Sequence, residues 1–344
     1  MKKGSVIDDA SLDAIKKEIK GKKKILITTH KSPDGDAVGS SLALYHYLVK
    51  MGHEVCVSVP DPFPNFLQWL PGTDKILTYQ SERSKFKAIL EEADVLFALD
   101  YNNFQRTGEE LGELLNASKA CKIMIDHHQE PDETMDQKVW DVKASSTAEL
   151  VYDLIVSLSG DAGINKTIGE CLYTGIMTDT GSFRFATCTS HTMRIVSHLL
   201  DEGVDGNEIH QLVYDQNSIN RLHLMGYALE KMVLLKDYHT AYISLSKKEL
   251  DRFKYQPGDT EGLVNKALSV KGVKVACLIT EKEGSIRFSF RSSAQFSVND
   301  FARAHFNGGG HYHAAGGSFK GSIIEAVAIF EEQIKKYKNE LESA

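Results

Sequence analysis

Apolar residues along this chain follow two rhythms. In the first half, short unbroken runs (KILITT from Lys24, EVCVSV from Glu54, VLFAL from Val95, KIMI from Lys122) alternate with longer stretches in which apolar positions recur every three or four residues. Runs of that length with no polar alternation suit strands covered on both faces, so the rhythm predicts repeated βαβ units around a parallel sheet. From Ser40 to Met51, Leu44, Tyr47, Leu48 and Met51 fall at helical spacing, and Gly52 closes the helix. Ser145-Ser146-Thr147 offers caps for the helix AELVYDLIVSLS, which Gly160 ends. A further helix over 165–178, with Ile168, Leu172, Gly175 and Ile176 on its apolar side, delivers Asp179 to a loop at its end.

The texture then changes. Between about Ser190 and Leu235 the pattern is continuously helical and has no Gly, Ser or Pro tract, which predicts a structured connector instead of a loose linker. After Asp237 come alternating strands (TAYISLS, VKVACLITEK, SIRFSFRSS), a helix near Val298–His305, a glycine-rich break and an amphipathic terminal helix from Ser322 to about Lys338. The expected architecture is α/β: an N-terminal parallel-sheet domain over 1–190 with helices on both faces, a helical connector over 191–236, and a smaller C-terminal α+β domain over 237–344. A length of 344 residues accommodates this division. Internal repeats and low-complexity segments are not evident.

Composition narrows the class. Hydrophobic residues make up 42% and charged residues 25%, with 7 prolines, as in globular chains. No apolar run approaches the roughly 20 residues of a bilayer span, and the Lys-rich start leads too quickly into Thr28-Thr29-His30 to read as a signal peptide. A cytoplasmic protein without membrane attachment is expected. A net charge of −7 argues against binding long duplex nucleic acid, while leaving room for a local basic pocket and a short phosphate-rich ligand. The five cysteines are scattered without a C-x-x-C pair, so buried thiols are expected instead of disulfides or a zinc knuckle. No G-x-G-x-x-G follows KILITT, which removes a dinucleotide-dependent oxidoreductase from consideration.

The chemistry-bearing residues sit where the strands end. His30-Lys-Ser-Pro-Asp34-Gly-Asp36 follows the first strand, Asp100 the VLFAL strand, and Asp126-His127-His128 the KIMI strand; Asp179 lies in MTDTGS. Taken singly, each has an ordinary reading: S-P-D-G-D as a surface turn, a strand-end Asp as a helix cap, Asp-His-His as coincidence. Together, at one rim of one parallel sheet, such acids and imidazoles would repel one another without cations. Nitrogen and oxygen donors without thiolate favour Mn²⁺, with Mg²⁺ or Co²⁺ as substitutes. Two ions roughly 3.5–4 Å apart, with Asp100 as the natural bridge, would suit hydrolysis of a phosphate ester.

HKSPDGDAVGSSLAL, ALD at Asp100, IDHH over 125–128 and MTDTGSFRF resemble, in order, the motifs of the DHH phosphoesterase family. FNGGGHYHAAGG over 306–317 is similar to the glycine-rich motif of the accompanying DHHA1 domain. The resemblance spans nearly the whole chain and is most like the bacterial oligoribonucleases that also act as pAp phosphatases. It implies His30, Asp34 and Asp100 on one metal, and Asp36, Asp100, His127 and Asp179 on the second. It further implies Asp126 orienting His127, and His128 facing the scissile phosphate to stabilise charge or supply a proton.

On the substrate side the resemblance implies Arg291, Ser292, Asn299 and His311 as contacts, with Gly308, Gly309 and Gly310 letting backbone N–H groups approach an anion. Arg106 and Arg184 are weaker candidates, since surface arginines are common. Phe288 and Phe290 could stack bases, but their alternation favours a buried strand face. The expected substrates are very short single-stranded RNA and the 3′,5′-bisphosphate pAp. A linear or cyclic dinucleotide phosphodiesterase and a noncatalytic nucleotide-binding module are the alternatives, and homodimer formation is left open.

Overall fold

The computed structural model describes residues 7–282, 284–293 and 295–343. It divides into two compact units, one reaching Gln216 and the other beginning at Asn217.

In the first unit β1 (Lys24–Thr29), β2 (Glu54–Val59), β3 (Leu77–Thr78), β4 (Val95–Leu99), β5 (Cys121–Asp126) and β6 (Gln137–Trp140) form one sheet in the order β3-β2-β1-β4-β5-β6. Every neighbouring pair is parallel. The chain runs outward on one side of β1 and then restarts at β4 on the other. The crevice beyond the β1 and β4 C-termini is therefore the switch point at which open α/β sheets bind ligands. Helices α1 (Asp9–Glu18), α2 (Gly35–Lys50), α3 (Arg83–Glu92), α4 (Glu109–Ala117), α5 (Thr147–Ser159), α6 (Lys166–Asp179), α7 (Ser190–Asp201) and α8 (Gly206–Tyr214) complete the unit. Its apolar side chains fall into two clusters: Ile25, Ile27 and Val57 pack with α2, α5 and α6, whereas Leu26, Leu96 and Met124 pack with Phe86 and Leu111 of α3 and α4. Successive β1 residues thus enter different clusters, as strand alternation demands of a sheet covered on both faces.

Helix α2 begins five residues before the sequence pattern suggested, because the Asp34 carboxylate accepts from the Asp36 and Ala37 backbone N–H groups and caps it there. Small residues then let α2, α5 and α6 close up. A Cβ on Gly39 would lie 2.5 Å from the Cys171 carbonyl oxygen, and one on Gly175 would lie 2.6 Å from Ala148 Cβ and 2.9 Å from Asp36 Oδ1. Close packing at these two glycines brings Asp36 against the N-terminus of α5.

The second unit holds α9 (Ile219–Glu230), β7 (Val233–Leu235), β8 (Thr240–Leu245), α10 (Lys247–Arg252), α11 (Leu263–Leu268), β9 (Val275–Lys282), β10 (Ser285–Ser292), α12 (Val298–His305), β11 (Gly309–His311), β12 (Ala314–Phe319), α13 (Ile323–Lys335) and α14 (Lys338–Ser343). Its mixed sheet has the order β11-β12-β10-β9-β8-β7, parallel at β8 and β9 and antiparallel elsewhere. Phe288 and Phe290 are buried among Phe301, Phe306 and Phe330, so the β10 aromatics are core.

The stretch read as a connector is shared between the units. Ile195 and Leu199 of α7 and Ile209 and Val213 of α8 join the first core, while Leu224 and Ala228 of α9 join a cluster with Ile243 and Leu263. Each helix carries an apolar stripe, and burying that stripe assigns it to a unit. All five cysteines are free thiols, and no helix among the described residues is long and apolar enough to cross a membrane.

Candidate metal centre

Asp100 occupies the middle of the centre. It leaves β4 at φ +63° and is 2% exposed. Its Oδ2 lies 3.2 Å from His30 Nε2, and its Oδ1 lies 3.6 Å from His127 Nε2. The two carboxylate oxygens thus serve different neighbours. One nest comprises His30, Asp34 and Asp100, a second Asp36, Asp100 and His127, and a third Asp100, Asp126 and His128; within each, one donor atom per residue lies within 4.8 Å of the others. Asp179, the last residue of α6, adds its Oδ2 at 3.5 Å from His127 Nε2.

Hydrogen bonds at the far side of each imidazole show what the near side offers. His30 Nδ1 lies 3.0 Å from the Lys31 carbonyl oxygen, and His127 Nδ1 lies 3.3 Å from that of Ala144. A carbonyl only accepts, so Nδ1 carries a proton in each ring, and Nε2 is the nitrogen turned toward the acids. For His127, Nε2 faces Asp36, Asp100 and Asp179 oxygens at 3.5–3.8 Å, longer than ordinary hydrogen bonds. Three carboxylates converging on one imidazole in a buried pocket make a donor set suited to a cation, and tethering the remote nitrogen is how ligating histidines are oriented.

Electrostatics agree. Burial, together with the charges of Asp100 and Asp179, pushes the Asp36 carboxyl well above the usual range. Burial also opposes ionisation of Asp100, but the hydrogen bond and charge of His30, with His128 and His127 behind, hold it below the usual range. In His30, burial disfavours the imidazolium, yet Asp100 and Asp34 raise its pKa on balance, so a proton serves there when no cation does. Burial, and secondly the Arg106 guanidinium, push His128 well below the ordinary value.

Two features of the centre escaped the sequence reading. The N-terminus of α5 points into it: the Thr147 and Ala148 N–H groups donate to Asp36 Oδ2 and Oδ1 at 2.7 and 2.9 Å, and the Thr147 hydroxyl donates to Asp100 Oδ1 at 3.0 Å. The SST signal was read only as a cap, although a helix N-terminus is also an anion site. Beyond Asp179, Gly181, Ser182 and Phe183 all have positive φ, and the Ser182 hydroxyl bonds His210 Nε2 at 2.8 Å. His210 Nδ1 is taken by the Gly206 carbonyl, so Ser182 is the donor. Nothing in the sequence linked those two residues.

The expected partnership of Asp126 with His127 is replaced by one with His128, whose Nδ1 lies 2.7 Å from Asp126 Oδ1. In an extended chain residues two apart share a face and adjacent ones do not, so Asp126 and His128 lie together while His127 turns toward Asp36. Arg106 is half-buried, and its charge acts on both His30 and His128.

In the second unit, Ser292 is buried and bonds the Phe296 carbonyl and His313 Nδ1, which commits its hydroxyl to the interior. Asn299 is also buried, and its Oδ1 accepts from Gly310 N–H at 2.9 Å and Arg303 Nε at 3.2 Å. The expected glycine loop is the β11 edge strand. A Cβ on Gly308 would fall 1.9 Å from the Gly316 oxygen, so close backbone packing requires glycine there. Arg291 and His311 are half-buried on β10 and β11.

The DHH family, N-terminal domain, matches residues 24–176, and the DHHA1 domain matches 236–337. The bifunctional oligoribonuclease and PAP phosphatase NrnA of Thermus thermophilus is 32% identical over 323 residues, covering 93% of this chain and 91% of that protein. The chain belongs to the DHH family. An exopolyphosphatase-related protein of known structure from Bacteroides fragilis is 43% identical, covers 98% of this chain and 99% of its own, and superposes with a TM-score of 0.92. RecJ from Thermus thermophilus, solved in complex with Mn²⁺, is 13% identical with a TM-score of 0.55 over 96% of this chain and 54% of its own, and shares the fold. DHH phosphoesterases are metal-dependent hydrolases, and the donor set described above fits that chemistry.

Proposed function

We propose that the chain is a two-ion, Mn²⁺-dependent phosphoesterase that degrades very short single-stranded RNA to mononucleotides and dephosphorylates pAp to AMP. The observation that carries the two-ion reading is the division of the Asp100 oxygens between two nests of donors. His30, Asp34 and Asp100 would hold one ion, and Asp36, Asp100, His127 and Asp179 the other. Bound there, the ions would lower the pKa of water and offset phosphoryl charge.

The chain's own groups supply the rest. Asp126 fixes the His128 ring, whose Nε2 holds or moves a proton at the reacting phosphate, much as a carboxylate supports a catalytic imidazole elsewhere. The Arg106 guanidinium beside His30 and His128 suits a phosphate oxygen, and the Lys31 N–H to Arg106 carbonyl bond of 2.8 Å ties its loop to the metal turn. Arg291 and His311 are the phosphate contacts proposed for the second unit. There Asn299 acts behind the Gly310 N–H, and Ser292 acts through His313. The identity of NrnA as oligoribonuclease and PAP phosphatase, over nine-tenths of both chains, supports the substrate class.

Incubation of the purified chain and Mn²⁺ with a dinucleotide, pAp and a 24-mer RNA tests the reading. Mononucleotide or phosphate should appear first from the small substrates. Equal or faster turnover of the 24-mer refutes the size preference, and faster release from polyphosphate or a cyclic dinucleotide reassigns the substrate.

A further inference from the structure

A nucleotide enzyme needs a seat for the base as well as for the phosphate, and the β10 aromatics Phe288 and Phe290 are buried and supply none. In the first unit Trp140, Phe185 and Tyr214 are each 39% exposed, and Trp140 is hydrogen-bonded to a residue of the centre. Trp140 ends β6, the edge strand, in register with Asp126 on β5. Registered neighbours in a sheet project to the same face, so the indole rises on the side of Asp126. Its Nε1–H donates to the His128 carbonyl oxygen at 2.7 Å, yet the residue is 39% exposed. Phe97, Tyr101, Phe86 and Phe104 of the same unit are all buried. Among the described residues no aromatic ring or cation covers the Trp140 face.

We infer that the indole of Trp140 is the stacking seat for a nucleobase of the substrate whose phosphate lies at the metal centre, and that it gives the enzyme a preference for purines. This rests on the phosphoesterase reading above. A ring pinned by one hydrogen bond is already oriented, so stacking on it costs little further ordering. Bases stack on aromatic rings whatever their identity, and a purine covers more of an indole than a pyrimidine does. The hydrogen bond to His128 sets the distance of the seat from the reacting phosphate, which favours substrates short enough to occupy both.

Two substitutions separate stacking from a purely structural pin. Trp140→Phe keeps a ring and loses the N–H; Trp140→Ala loses both. Stacking predicts that Ala raises KM for ApA by about tenfold with kcat nearly unchanged, while Phe stays within about threefold of wild type. A pin on His128 predicts that both variants lower kcat alike, which overturns the inference.

Because Trp69 is the only other tryptophan, a Trp69→Phe chain reports Trp140 alone, without disturbing it. In that chain with Mg²⁺, AMP should quench the emission more strongly than UMP, and ribose 5-phosphate should not. Unchanged emission at AMP concentrations that inhibit turnover overturns the seat while leaving the phosphoesterase reading intact. No turnover of any nucleotide by the wild type overturns that reading, and the base seat with it.

Discussion

Thr147 offers the sharpest test of how the centre is held. Its hydroxyl donates to Asp100 Oδ1 at 3.0 Å, with Thr147 0% and Asp100 2% exposed. Thr147→Val keeps the shape, the Ser146 cap and the backbone N–H to Asp36, and removes one donor. Two effects then oppose each other. A carboxylate with one donor fewer is more electron-rich and binds a cation more strongly at each contact. It is also freer to rotate, and dividing its oxygens between two nests depends on not rotating. A hydrogen bond to a charged group contributes about 1.5–3 kcal/mol, which corresponds to about 10- to 150-fold in an equilibrium. Removing the outer partner of a ligand typically weakens metal affinity or activity by about 10- to 100-fold, so loss of orientation should win. Calorimetric titration with Mn²⁺, alongside kcat on a dinucleotide, should show both falling within that range while far-UV circular dichroism stays unchanged. Thr147→Ser should restore both. Wild-type Mn²⁺ affinity and rate in Thr147→Val would refute the claim that α5 positions the bridging carboxylate.

Two further outcomes follow from the same geometry. Asp100→Asn should fold, because Asn accepts the left-handed backbone that this position adopts at φ +63°, and should lose at least about a hundredfold in rate, since an amide cannot bridge as an anion; near-normal turnover removes the bridge from the mechanism. In the second unit, burial works against Glu249 ionisation, but hydrogen bonds from Lys231, Tyr227 and Ser246 lower its pKa from 4.5 to about 2. A depressed pKa contributes stability that is present above the unfolded value and lost as pH falls through the folded one, so Glu249→Gln should lower Tm at pH 7 and the gap to wild type should close between pH 4.5 and about 2.

The first sheet was legible because its strands are buried on both faces, which writes them as unbroken apolar runs, and because a parallel sheet brings their C-terminal ends to one rim. The sequence pattern therefore predicts the convergence of His30, Asp100 and His127 that the fold shows. What a linear pattern does not carry is the direction in which each side chain leaves the strand end. Strand alternation pairs Asp126 with His128, and the packing at Gly39 and Gly175, far apart in sequence, aims α5 at Asp36. The second unit was less legible for a related reason. GGGH reads as a glycine-rich loop open to an anion, and its pairing as an edge strand with β12 depends on the close approach of Gly308 to Gly316, which the pattern does not carry.

The centre also explains why this part of the fold is not built for stability. Buried and close to Asp100 and Asp179, the Asp36 carboxyl resists ionisation. The α5 N-terminus offsets part of that cost with two N–H donors and the positive end of the helix dipole. Complete compensation by protein groups would need a buried Lys or Arg among the acids, and a fixed cation there would exclude a divalent ion. Arg106 is the guanidinium whose charge reaches His30 and His128, and it disfavours the protonated form of both rings. On the two-ion reading proposed above, the remaining deficit would give the site its affinity: negative charge that the fold assembles and only partly neutralises is available to a cation when one binds.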